Sequence, residues 1–158
     1  MEYKKRIIAS IERVIETVSK SIAGHTDKVR LFKKRMEDPE WKDNESLPCV
    51  NDMVIMHDII LKAELSALRI SIRHIQDSGE SDDAVLYEGR DTLVTALFTA
   101  DKHRRNIAPS YRAANPKDGD HERIMEEYSK FVGMSNGFVM ALSCFHVTPD
   151  FEEEIIPF

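Results

Sequence analysis

Residues 7–36 read IIASIERVIETVSKSIAGHTDKVRLFKKRM, and this stretch decides the fold. Ile8, Ile11, Ile15, Val18, Ile22, His25, Val29, Phe32 and Met36 recur at alternating steps of three and four. That spacing lines side chains along one stripe of an α-helix. Gly24 followed by Thr26-Asp27 offers a stop and a fresh N-cap, yet the stripe keeps its phase across them. The pattern therefore predicts one helix from Glu2 to Asp38, on the order of 50 Å long, ended by Pro39.

Three more helices follow from the same kind of reading. Residues 39–51 form a connector, and Asn51 or Asp52 caps a second helix that runs to Ser78 and stops at Gly79. Ser81-Asp82-Asp83 opens a third, with acids at the positive end of its dipole. Leu86, Leu93, Ala100 and Ile107 give it a seven-residue seam, and it is expected to end before Pro109. Residues 108–119 read as a loop. A fourth helix is expected from Asp120 to Val147 on the seam Ile124, Tyr128, Phe131, Ser135, Phe138, Leu142 and Phe145. Residues 148–158 remain as an acidic tail with apolar edges, Phe151 and Phe158 among them. The expected fold is all-α, a helical bundle of four main helices with a long N-terminal helix, in one domain over residues 1–158.

Composition narrows the function classes. A chain of 158 residues, 42% hydrophobic and 32% charged, is a globular composition long enough to bury a core. Six Gly and six Pro are too few for a turn-rich β fold. No apolar run is long enough to span a bilayer, and no signal peptide opens the chain, so no membrane is expected. Cys49 and Cys144 lie far apart and form no CxxC pair, which favours free thiols in a cytoplasmic setting, with Cys144 as a core residue. Net charge is −6, although residues 1–35 carry ten Lys/Arg against four Asp/Glu. That balance disfavours nucleic acid while leaving a basic face for an acidic partner.

Helix 2 holds the sharpest anomaly. Lys62, Ser66, Arg69 and Arg73 make its polar side, whereas His57, Glu64 and Ser71 interrupt the apolar remainder at seven-residue spacing. His25 interrupts the seam of helix 1 in the same way, and Tyr128 and Ser135 that of helix 4. Buried polar groups need partners. The reading that follows is a core polar network of His25, His57, Glu64, Tyr128 and Ser135 that fixes register or oligomer state. An alternative makes His25, His57 and Glu64 metal ligands, because imidazole and carboxylate suit zinc or iron.

Two short patterns resemble enzymes. His25, His57-Asp58 and Asp101 follow the His, His-Asp, Asp order of metal-dependent phosphohydrolases of the HD family, which also use a helical scaffold. Arg69-x-x-x-x-His74 resembles the arginine–histidine spacing of HEPN-type ribonucleases. Five residues along a continuous helix turn the chain by about 140°, which points those two side chains apart. An enzyme of this kind would work through His57, Asp58 and Glu64, with His25.

Two basic clusters are candidates for an anion or a partner: Lys33, Lys34 and Arg35 at the end of helix 1, and Lys102, Arg104, Arg105 and Arg112 at the end of helix 3. Gly133, Gly137 and Ala141 recur every four residues on helix 4, where small side chains let another backbone come close. With Phe151 and Phe158 they are interface candidates, although packing inside the bundle would use the same residues. The long stripe of helix 1 outruns the other helices, which favours a homodimer. Taken together, these features favour a non-enzymatic interaction protein, an adaptor, inhibitor or regulator that binds a protein partner. No cofactor is implied.

Overall fold

The computed structural model describes residues 2–41, 47–115 and 119–146, with backbone alone at 47–49 and 146. Helix α1 spans Glu2–Glu37, α2 spans Leu47–Asp77, and a short α3, Asp82–Ala84, leads through a π-helical turn at Val85–Gly89 into α4, Arg90–Ala113. Helix α5, His121–Ser143, is extended by a 3-10 turn at Cys144–His146. No strand occurs among the described residues. The fold is an all-α bundle of four main helices.

As its stripe predicts, α1 runs unbroken for 36 residues through Gly24. Glu2 sits in its first turn and Lys34 and Arg35 in its last, matching the helix dipole. The chain then leaves through a short turn in which the Asp38 carboxylate accepts the Glu40 N–H at 2.9 Å. The Arg35 guanidinium lies over the Phe32 and Trp41 rings, 5.5 and 5.1 Å from their centroids, and packs this exit. Open space surrounds the position a Gly24 side chain would take. Gly24→Ala is therefore expected to raise stability by about 0.5–1 kcal/mol, since alanine loses less entropy in a helix. A lower unfolding midpoint in circular dichroism would show that the rod is interrupted there.

Two helix boundaries differ from expectation. Helix α2 begins at Leu47 rather than at Asn51 or Asp52. Pro48 falls in its first turn, where a missing N–H breaks no helical bond. Helix α4 continues through Pro109 to Ala113 instead of ending before it. Packing outweighs the lost hydrogen bond: Ala108 is buried, the Tyr111 ring stacks on Tyr128 at 4.5 Å, and the Tyr111 hydroxyl reaches the Met56 sulfur at 3.3 Å. Ser81 caps α3 as expected, its hydroxyl accepting the Ala84 N–H at 3.0 Å. The expected fourth helix tightens into the 3-10 turn at Cys144, and its last predicted residue, Val147, lies outside the described residues, as do Phe151, Phe158 and the rest of the tail.

The helices pack in a row, α1 on α2, α2 on α5 and α5 on α4, and α1 hardly approaches α4. Helices α1 and α2 run antiparallel, as do α4 and α5, whereas α2 and α5 run parallel, with Ile60 beside Gly133 and Glu64 beside Gly137. Lys4 at the start of α1 meets the end of α2, donating to the carbonyls of Gln76 and Ser78 at 2.8 Å each. Tyr3 meets the end of the chain's last described helix, its hydroxyl donating to the Phe145 carbonyl at 3.2 Å. The best-buried side chains, Ile7, Ile11, Leu68, Ile75, Val85 and Leu93, gather toward this pole. The opposite pole is filled by Val54, Leu61, Ala63, Ala108 and Met125 together with polar groups.

On the stripe of α1, Ile11, Val18 and His25 are buried and its other members half-buried. Helix α2, 31 residues long, covers it. The length of α1 therefore no longer argues for a second copy of the chain.

Candidate functional site

The polar groups singled out in the sequence fall into separate places. His25 is buried, and its Nε2 donates to the Val54 carbonyl at 2.8 Å, which fixes a proton on that nitrogen. His57 meets it edge-on, with ring centroids 4.6 Å apart, but lies on the surface. Glu64, two helical turns further, is half-buried and accepts from the Asn136 side chain at 3.3 Å. Ser71 is fully buried and satisfied by the Ala67 carbonyl at 2.7 Å. Tyr128 stacks on Tyr111, and the buried Ser135 hydroxyl has no hydrogen-bond partner among the described residues. The expected network of His25, His57, Glu64, Tyr128 and Ser135 is thus not formed. The reason is geometric: heptad spacing places residues on one azimuth of α2, while burial depends on where along the axis α1 and α5 still flank it.

Burial pushes the Glu64 carboxyl above the ordinary glutamate range, opposed by the Asn136 hydrogen bond and by His57. The folded state then holds that proton more tightly than the unfolded chain does. Stability is accordingly greatest below the ordinary glutamate pKa and falls as pH rises through the raised one. Glu64→Gln keeps an acceptor for Asn136 and removes the charge. It is expected to raise the unfolding midpoint at pH 7 by about 1–2 °C, a small effect because the group is partly solvated, and to leave it unchanged well below the ordinary glutamate value of 4.5, where both states are protonated. Thermal melts at the two pH values check this.

The enzyme-like patterns are not assembled. Asp58 pairs with Lys62 at 2.8 Å. Asp101, on α4, is held by Arg104 and Arg105 at 2.7 and 2.9 Å, and Arg104 above all keeps its carboxyl below the usual aspartate range. Arg69 is exposed and His74 half-buried, on diverging sides of α2. Among the described residues no three His, Cys, Asp or Glu side chains are grouped to hold a metal ion, so His25, His57 and Glu64 do not form the ligand set considered above. Cys144 is buried, and burial pushes its thiol up, so it is a core residue as expected.

The basic clusters divide. Lys33 lines a shallow groove between α1 and α2 with Arg30 and Lys62, and Lys34 is exposed beside it. Arg35 is engaged with Phe32 and Trp41. On α4, Lys102 and Arg112 are exposed, whereas Arg104 and Arg105 share Asp101 as a single counter-charge. The sequence missed a polar contact across helices, His121 Nε2 with the Asp52 carboxylate at 3.4 Å. Only the spacing of helix starts could have placed those two side by side.

Gly133 and Gly137 are packed inside the bundle, not on an interface between chains. A side chain at Gly133 would run into the Ile60 carbonyl and lie 2.6 Å from the Ala63 methyl. One at Gly137 would meet Ala67 at 2.6 Å and the Glu64 carbonyl at 2.7 Å. Ala141 is fully buried in the same core. The small-residue stripe therefore serves the close approach of α2 and α5.

What remains open is an apolar face where the π turn and α4 begin and α5 ends. Leu86, Val94, Leu142 and Phe145 line a groove of about 300 Å³ there, with Arg90 and Val139. Val139 is 53% exposed, and Phe98, one turn beyond Val94, is 64% exposed. Tyr87, beside Leu86, is 65% exposed. The sequence signal for this face was the pair Val94 and Phe98, four residues apart and off the seven-residue seam.

No protein-family model matches the chain, and no curated protein or solved structure matches it either.

Proposed function

We propose that the protein is a non-enzymatic helical interaction protein, an adaptor, inhibitor or regulator, that engages a protein partner with the face built by Leu86, Val94, Phe98, Val139 and Leu142. The observation that carries this reading is the exposure of Phe98 and Val139 at 64% and 53%, beside a groove whose lining is apolar apart from Arg90 and Ser143. Contiguous exposed apolar surface of this kind is costly in water and marks contact sites. The absence of a helix long and apolar enough to cross a membrane, among the described residues, turns the face toward a protein rather than a bilayer core.

A photo-crosslinking residue placed at 98 or at 139, in the native host, tests the proposal against the same residue at the exposed Lys20. One defined partner crosslinked from 98 and 139 but not from 20 is the expected result. Equal crosslinking from all three positions would overturn it. Sedimentation of the purified chain separates a different partner, leaving a mass of 18.2 kDa, from a second copy of the same chain. Stoichiometric divalent metal in the purified protein, lost in His57→Ala, would instead favour the hydrolase alternative built on His25, His57, Asp58 and Glu64.

A further inference from the structure

Because α2 and α4 both lie against α5 and barely meet, a second groove, of about 580 Å³, opens between them above α5. Small side chains create it. Ala100 occupies the seam position at which Leu93 and Ile107 carry bulk, and Ala96, Thr99 and Ser66 keep the walls low. Its floor is apolar, formed by the buried Ala100 and Phe138 with Ile70 and Met134. The Thr99 hydroxyl is turned back to its own helix, bonding the Thr95 carbonyl at 2.9 Å.

The rim is cationic. Lys130 lines the groove, with its Nζ 5.9 Å from the centroid of the Phe131 ring, and the His103 ring stacks on that same ring at 4.8 Å. Arg69 and Arg73 are exposed on the face of α2 that carries Ser66 and Ile70. No carboxylate among the described residues lies within ion-pair distance of Lys130, Arg69 or Arg73, and none lines the groove. Unpaired cations around an apolar trough, in a chain of net charge −6, are complementary to an anionic head on an apolar body. From Lys130 to Phe138 the trough follows α5 for about 12 Å, the reach of a medium-length chain.

We propose that this groove binds a small amphipathic anion, a medium-chain carboxylate, with its head at Lys130 and His103 and its chain over Ala100 toward Ile70 and Phe138. This site lies on a different face from the partner surface and does not depend on it. Decanoate below its micellar concentration is the probe, followed by titration calorimetry and by perturbation of backbone amide resonances, with decanol as the uncharged comparison. Saturable binding is expected to perturb residues 96–103 and 130–138. Lys130→Glu, an exposed substitution, is expected to weaken it by about fivefold or more, and decanol to bind more weakly than decanoate. Ala96→Phe, which fills the groove, is expected to abolish it. No saturable binding, unchanged affinity in Lys130→Glu, or equal affinity for decanol would each overturn the proposal. Binding seen only when anionic vesicles are present would overturn it in favour of a membrane surface.

Discussion

Gly133→Ala is expected to lower the unfolding midpoint by about 2–8 °C, an unusual result for a change that improves helix propensity. One added methyl would be driven into the Ile60 backbone carbonyl and the Ala63 methyl. Neither obstacle is a flexible side-chain tip, so α2 and α5 must separate along the most extensive helix contact in the bundle. Overpacking of this kind costs about 1–3 kcal/mol or somewhat more, and the propensity gain of about 1 kcal/mol returns only part of it. The contrast with Gly24→Ala is the sharper test. The same substitution in two helices of one chain should shift the midpoint in opposite directions, because one glycine faces open space and the other a carbonyl. A midpoint unchanged in Gly133→Ala would mean that α2 and α5 are not in this close register.

The second large effect is expected at Lys4. Its side chain is almost fully buried, at 7% exposure, and its ammonium closes the last turn of α2 through two hydrogen bonds of 2.8 Å, with Glu80 at 3.9 Å. Those carbonyls have no partner within the helix, and a cation at that end also meets the negative pole of the dipole. Lys4→Met keeps the length of the stem and removes both donors. The loss is expected to be about 3 kcal/mol, since hydrogen bonds to a charged group are worth about 1.5–3 kcal/mol each and the stranded carbonyls recover some water. Chemical denaturation measures it. Lys4→Arg, with donors in a fork, should recover part of the loss, and recovery in Lys4→Met itself would show that the ammonium contributes nothing there.

The sequence carried the architecture well because the architecture is written in periodicity. A stripe that keeps phase across Gly24 leaves no room for a break, and α1 is one helix. Ser81 with two following acids marks a helix start by local chemistry alone, and it is one. Pro109 was misread because its penalty is local while the compensation is distant: Tyr111 against Met56 and Tyr128 comes from two other helices. The site was less legible for a related reason. Spacing on α2 gave His57, Glu64 and Ser71 a common azimuth, yet they range from exposed to fully buried along the axis. Lys4 gave no signal at all, since a lysine near a helix start reads as solvated charge until a neighbouring helix is seen to end beside it.

The uneven filling of the bundle has a consequence for how it opens. Bulky aliphatic side chains lock the pole of Tyr3, Ile75, Val85 and Phe145. The pole of His25, Asn51 and His121 instead buries an Asn51 oxygen, a His121 nitrogen and, nearer the middle of α5, a Ser129 hydroxyl, none with a hydrogen-bond partner among the described residues. Unpaired polar atoms and thin apolar packing make that end the weaker cooperative unit. Amide protons near the starts of α2 and α5 should then exchange with deuterium through partial unfastening, well before those around Ile75 and Leu93 are released by global denaturation.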